Sequence, residues 1–123
     1  MALDTKTPKG YRKAWNGGQK PVIGLDLIAE EQARQVTRYS PEHDDAHDRG
    51  ELRDAASCYL AAAMVASAGS SWRGRPSPVW PWEPGAWKPS DDPIRNLQKA
   101  GALIASEIDR LLRKQAQERS HQS

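Results

Sequence analysis

Apolar residues recur at three- and four-residue steps in three stretches of this 123-residue chain. That spacing predicts three helices and no substantial sheet. In the first stretch Leu25, Ile28, Gln32, Val36 and Tyr39 share a face, with Glu30, Arg34 and Arg38 toward its edges or solvent, so a helix is expected over 25–39. Ser40-Pro41-Glu42 then restarts the chain. Serine caps a helix, proline suits its first position, and an acid in the first turn complements its dipole. The second helix is expected from about Pro41 to Ser67, with Leu52, Ala56, Tyr59, Ala63 and Val65 as a small-residue face that admits a close neighbour. Gly50 falls inside it, costs roughly 1 kcal/mol relative to alanine, and marks a point where the helix can break. Asp91-Asp92-Pro93 opens the third helix, expected over 92–113, whose apolar face is Ile94, Leu97, Gly101, Ile104, Ile108 and Leu111.

The expected architecture is a small all-α, three-helix domain over 23–113, preceded by a basic, loosely ordered arm over 1–22 and followed by a polar tail over 114–123 that frays. Tyr11 and Trp15 in the arm read as a tether onto the body. Between the second and third helices, Gly69 to Ser90 shows no periodicity and is rich in Trp and Pro. A connection of about twenty residues in a compact domain is functional or disordered, and its large aromatics argue against a floppy linker. The chain is 37% hydrophobic and has no Phe. So thin a core leads to the expectation of a homo-oligomer that completes it.

A net charge of +2 hides an asymmetry. Lys6, Lys9, Arg12, Lys13 and Lys20 face only Asp4 in the first 25 residues, whereas residues 26–54 are strongly acidic. Nucleic-acid binding needs a basic stripe on the folded part; here the excess sits on the arm, which argues against it. Cys58 is the only cysteine, so no intramolecular disulfide forms, and its setting among alanines reads as a buried small residue rather than a nucleophile. With no apolar signal-like start and no run long enough to span a bilayer, a cytoplasmic protein without membrane association is expected.

Two cassettes concentrate chemistry. In His43-Asp44-Asp45-Ala46-His47-Asp48-Arg49-Gly50-Glu51, a continuous helix from Pro41 would stack Asp44, His47, Asp48 and Glu51 on one face. That ridge reads as a solvated charged face paired to Arg49 and Arg53, as carboxylates that accept from a ligand's hydroxyls, or as a divalent-metal site using His43 and His47. The spacing lacks the glutamate after the first histidine and the third ligand that make a zinc helix specific, so metal and cofactor stay unassigned. In Trp80-Pro81-Trp82…Trp87-Lys88-Pro89, prolines restrict the backbone beside the indoles. These rings either plug the gap between short helices or form a stacking wall for a base, with Lys88 reaching a phosphate. Glu107, at the flank of the last apolar stripe, either pairs with Arg34, Arg38 or Arg110 or joins the site.

Taken in order, Glu42-His43-Asp44-Asp45 with Gly50-Glu51-Leu52 and Ala55-Ala56…Tyr59, then Trp80-Pro81-Trp82 with Trp87-Lys88-Pro89, then Asn96 to Ile104 with Glu107-Ile108 and Arg110-Leu111, resemble a widespread family of small phage and prophage proteins. The resemblance covers roughly 25–112 and excludes the basic arm. It implies a helical accessory protein of a phage, acting in the cytoplasm of the bacterial host, with no chemistry assigned. Such proteins are often counter-defence factors, and one class sequesters nucleotide second messengers. On that footing the expected function is a binding module that holds a small nucleotide-like ligand without catalysis. The site would comprise His43, Asp44, His47, Glu51, Trp80, Trp82, Trp87, Lys88 and Glu107, with phosphates taken by Arg73, Arg75, Lys88, Arg95 or Lys99. The alternatives are a metal-dependent nucleotide phosphohydrolase, whose usual paired acidic motifs the chain does not match, and an inhibitor that binds a host defence protein through its tryptophans.

Overall fold

The computed structural model describes residues 23–38 and 40–122; the arm expected over 1–22, with Tyr11 and Trp15, lies outside them, as does Tyr39. The described residues form helices α1 (Ile23–Arg38), α2 (Pro41–Asp45), α3 (Glu51–Ser67) and α4 (Pro93–Gln122), with one 3-10 turn at Pro84–Ala86. The class is all-α, as the periodicity predicts. No helix among these residues is long and apolar enough to cross a membrane.

The helix expected over 41–67 is two helices. Ser40 caps α2 as expected, its hydroxyl accepting the His43 N–H at 3.1 Å. After Asp45 the chain turns, and Gly50 stands at the N-cap of α3 with φ +84°. Only glycine takes that conformation without strain, and a Cβ there would also run into the Arg53 guanidinium. Asp44, Asp45 and Asp48 favour turns over helix interiors, so the weak point expected at Gly50 becomes a full break. The continuous acidic ridge therefore does not exist, and Asp48 is exposed in the turn between the two helices.

α4 begins where expected, with the Asp92 carboxylate accepting the Ile94 N–H at 3.0 Å. It ends later, running thirty residues to Gln122. The tail expected to fray continues the helix because Arg, Lys, Gln, Ala and Glu are good formers and each added residue extends an existing nucleus.

α3 and α4 run antiparallel: Tyr59 lies by Lys99, and Asp45, just before α3, reaches Arg113. α1 lies along α4 in the same direction, with Gln98 donating to the Leu27 carbonyl and Gln32 to Asp109. Ile28 sits over Gly101, where a Cβ would come within 2.6 Å of Ile28 Cδ1; glycine permits that approach. The core combines Leu52, Ala55, Ala56, Cys58, Tyr59 and Ala62 of α3 with Ala100 and Leu103 of α4 and with Trp80 and Trp87 of the connection. Alanines let the helices close, and the tryptophans supply the bulk. Each buried indole removes roughly 150–250 Å² from water, worth several kcal/mol at about 25 cal/mol per Å². Cys58 is buried as expected, and burial pushes its thiol up.

The apolar stripes are not the buried ones. Leu25 and Val36 on α1 and Leu97, Ile104, Ile108 and Leu111 on α4 are exposed, while Glu31, Asn96, Gln98, Ser106 and Arg110 are buried. Four of these buried groups are paired: Glu31 with Arg34 and Arg95, Asn96 with Ser90, Gln98 with Leu27, and Arg110 with Glu107. Pairing offsets the desolvation that would otherwise keep them out.

Candidate functional site

A cavity of about 690 Å³ opens between α1, α2, the tryptophan connection and α4, within the range of sites for small organic ligands. Its walls are set by how the connection is pinned. Asn96, fully buried, accepts the Ser90 N–H at 2.8 Å and donates to the Ser90 carbonyl at 2.7 Å. Tyr59 Oη accepts the Lys88 N–H at 3.3 Å, and Lys99 Nζ donates to the Lys88 carbonyl at 2.6 Å. The Trp80 indole N–H closes the Trp-Pro-Trp turn on the Glu83 carbonyl at 3.0 Å. A segment without periodicity is thus held in one place by backbone bonds to side chains.

One wall is a run of ring contacts. Tyr59 meets Trp80 at 5.8 Å between centroids, Trp80 meets Trp82 at 5.4 Å, Trp82 meets His47 at 5.3 Å, and His47 meets His43 at 4.8 Å. Edge-on arrangements at these separations are favourable. The acidic cassette and the tryptophan cassette are therefore neighbours, as a single site requires.

At the imidazole end, Glu51 Oε1 accepts the Arg49 N–H at 2.6 Å and Oε2 lies 3.1 Å from His47 Nδ1. His47 Nε2 lies 3.2 Å from His43 Nε2. Burial pushes the Glu51 carboxyl up, but the Arg49 N–H and His47 outweigh it and hold it below the usual range. One ring nitrogen of His47 thus faces the Glu51 carboxylate and the other faces His43. Asp44 lines the same end, and there burial wins over the attraction of Arg113 and the histidines, raising its pKa.

At the opposite end the charges are basic. Glu31 is 5% exposed and receives Arg34 Nε and Arg95 Nη1, both at 2.8 Å. Burial opposes its charge, yet the two guanidiniums, Arg95 foremost, hold it below its ordinary value. Lys99 stands 5.3 Å above the Tyr59 ring, and burial followed by repulsion from Arg95 lowers its pKa. One of its three N–H groups is engaged by Lys88. Arg95 and Lys99, four residues apart on α4, share a face toward the cavity.

Of the residues expected at the site, His43, Asp44, His47, Trp80, Trp82 and Lys88 line the cavity. Glu51 stands behind His47. Trp87 belongs to the core, packed against Tyr59 at 4.8 Å and Trp72 at 5.7 Å, and its indole N–H has no partner among the described residues. Glu107 pairs with Arg110 at 2.6 Å, the pairing weighed from the sequence. Arg95 and Lys99 are at the wall, whereas Arg73 and Arg75 are exposed outside it. Sequence reasoning missed Glu31, Gln35, Tyr59 and Ser106 as lining residues, along with the part of Arg34 in neutralising Glu31. Glu31 and Arg95 lie far apart in sequence, and no spacing rule joins them. Among the described residues no three His, Cys, Asp or Glu side chains gather as metal ligands. The chain matches no protein-family model, no curated protein and no solved structure.

Proposed function

We propose that this protein is a binding module that captures a small nucleotide-like ligand intact. The observation that carries this reading is the polarity of one cavity. Lys99 and Arg95 stand at one end, His47 and His43 at the other, and the Tyr59–Trp80–Trp82 rings join them. A phosphate suits the ammonium and guanidinium, charge-assisted donors that need no proton transfer. A base suits the exposed face of Trp82, and a ribose or base hydrogen-bonding edge suits Asp44 and the His43–His47 pair. Little in the cavity favours turnover. Glu51 is bound to Arg49 and His47, Glu107 to Arg110, and Glu31 lies between two arginines. A metal-dependent phosphohydrolase needs carboxylates converging on the metal. Sequestration of a nucleotide signal also fits the resemblance to phage counter-defence proteins and a setting in the host cytoplasm.

The test is incubation of the full chain with a panel of linear and cyclic nucleotides, with and without Mg²⁺ or Mn²⁺, followed by calorimetry and by chromatography of the small molecules released on heating. Intact release is expected, with Lys99→Met weakening capture at least tenfold. Metal-dependent product would replace this reading with the hydrolase. Neither binding nor product across the panel would leave inhibition of a host protein.

A further inference from the structure

We infer that the captured ligand is a guanine nucleotide, its base read by Asp44 and Ser106. This rests on nucleotide capture and says which base the same cavity selects. Both residues line the cavity, and among the described residues neither side chain has a hydrogen-bond partner. Ser106 is 4% exposed, and a hydroxyl so deeply buried ordinarily bonds to something. The other carboxylates about the cavity are engaged, Glu31 by Arg34 and Arg95 and Glu51 by the Arg49 N–H and His47. Arg113, the cation nearest Asp44, is bound to Asp45. Burial of Asp44 therefore outweighs the attraction of Arg113 and the histidines, which leaves two acceptor oxygens turned to the cavity without donors.

The helix sets the scale. Ser106 follows Lys99 by two turns on the same face of α4, about 10 Å along the axis. That matches the reach of a nucleotide from its first phosphate to the far edge of a purine. With phosphate on Lys99 and Arg95 and the ring against Trp82, the edge furthest from the sugar arrives at the Asp44 end. Enzymes and binding proteins read a splayed base by this combination of stacking and edge hydrogen bonds. A carboxylate accepts two adjacent N–H donors side by side. Guanine alone among the common bases offers them, a ring N–H beside an exocyclic amino group, with a carbonyl next to them for the Ser106 hydroxyl. Adenine and cytosine present a bare ring nitrogen to one carboxylate oxygen, and uracil presents a carbonyl; both repel it.

Calorimetry of the full chain should show guanosine diphosphate held at least tenfold more tightly than inosine diphosphate, which lacks only the amino group. Adenosine diphosphate should bind more weakly still, because a site built to hydrogen-bond a group rejects the analogue without it. Asp44→Asn separates reading from support. Its amide offers one acceptor and one donor, which suits xanthine, where a carbonyl replaces the amino group of guanine. The variant should lose guanosine diphosphate at least tenfold and gain xanthosine diphosphate by a similar factor, with its helical circular dichroism kept. Ser106→Ala should narrow the gap between inosine and adenosine diphosphates; an unchanged gap removes Ser106 from the reading. Equal binding of guanosine and inosine diphosphates, or an Asp44→Asn variant that loses the first without gaining xanthosine diphosphate, overturns the assignment and leaves capture standing. No binding of any of these nucleotides to the wild-type chain overturns both.

Discussion

On one side of α4, Asn96, Ala100, Leu103 and Arg110 are buried and Arg95 and Lys99 reach the cavity; on the other, Leu97, Ile104, Ile108 and Leu111 stand about half exposed. A helix reading by hydropathy alone would place these sides the other way round. The difference comes from what each side meets. The inner side meets the alanine face of α3 and the pinned tryptophan connection, where small residues and paired polar groups fit and bulky aliphatics do not. Its polar groups hold the cavity walls in place: Asn96 fixes Ser90, and Arg95 fixes Glu31. On the outer side Leu97, Ile104, Ile108 and Leu111 are not packed into that interior.

The sharpest way to break this comparison is to place the same charge on each side. Ala102 is fully buried, and Ala102→Asp should cost about 3–5 kcal/mol, because a carboxylate there has neither water nor partner. Ile104→Asp, two residues on, should cost within about 1 kcal/mol. Urea denaturation followed by circular dichroism measures both, and equal losses would mean that the outer side is buried in the protomer.

The tryptophans extend the contrast to the connection. Trp87→Ala should destabilise by about 3–5 kcal/mol, as expected of an aromatic removed from a core. Trp82→Ala should cost far less stability but weaken nucleotide capture by about 1–3 kcal/mol, the loss typical of a stacking ring. Parallel denaturation and calorimetry would show the reversal, and a Trp87 variant that folds normally but cannot bind would erase it.

Next in size is the pin at the cavity's edge. Asn96→Leu removes both bonds to Ser90 while nearly preserving volume, and should cost roughly 2 kcal/mol by leaving buried backbone groups unpaired. Amide exchange should then quicken at Ser90.

The smallest effects are titrations. Glu31 and Glu51 ionise in the folded state below their ordinary value of 4.5. Their ion pairs therefore contribute fully above that value, and the contribution is lost as pH falls through the lowered folded values. Stability should decline from about pH 4.5 downward, and Glu31→Gln should flatten the decline. Asp44 has the opposite sign. Its folded pKa is raised, so the ionised form opposes folding at neutral pH, and Asp44→Asn should raise the urea midpoint slightly there. A drop instead would make Asp44 a structural anchor rather than a carboxylate held at a cost for the cavity.

Much of this was legible along the chain. The caps at Ser40 and Asp92, the weak point at Gly50 and the helical periods act within a few residues, and local chemistry decides them. The two cassettes were also visible, as a doubled histidine among acids and as three prolines around tryptophans. The sequence alone could not separate Trp82 from Trp87, which share a motif. One lines a cavity and the other plugs a core because Tyr59, on another helix, stands beside Trp87.

By itself, then, the sequence determined the all-helical class, the helix starts at Pro41 and Pro93 and the weak point at Gly50, because hydrogen bonds within one turn and the preferences of single residues act over short range. Only the tertiary structure decided which face of each helix is inside. A periodic apolar stripe says that a face will be covered, not by what. Once α3 presented alanines and the connection brought its indoles, the interior had no room left for Ile104 or Ile108 and room enough for a paired Glu31 and Asn96. The cavity that joins Lys99 to His47 exists because of that choice.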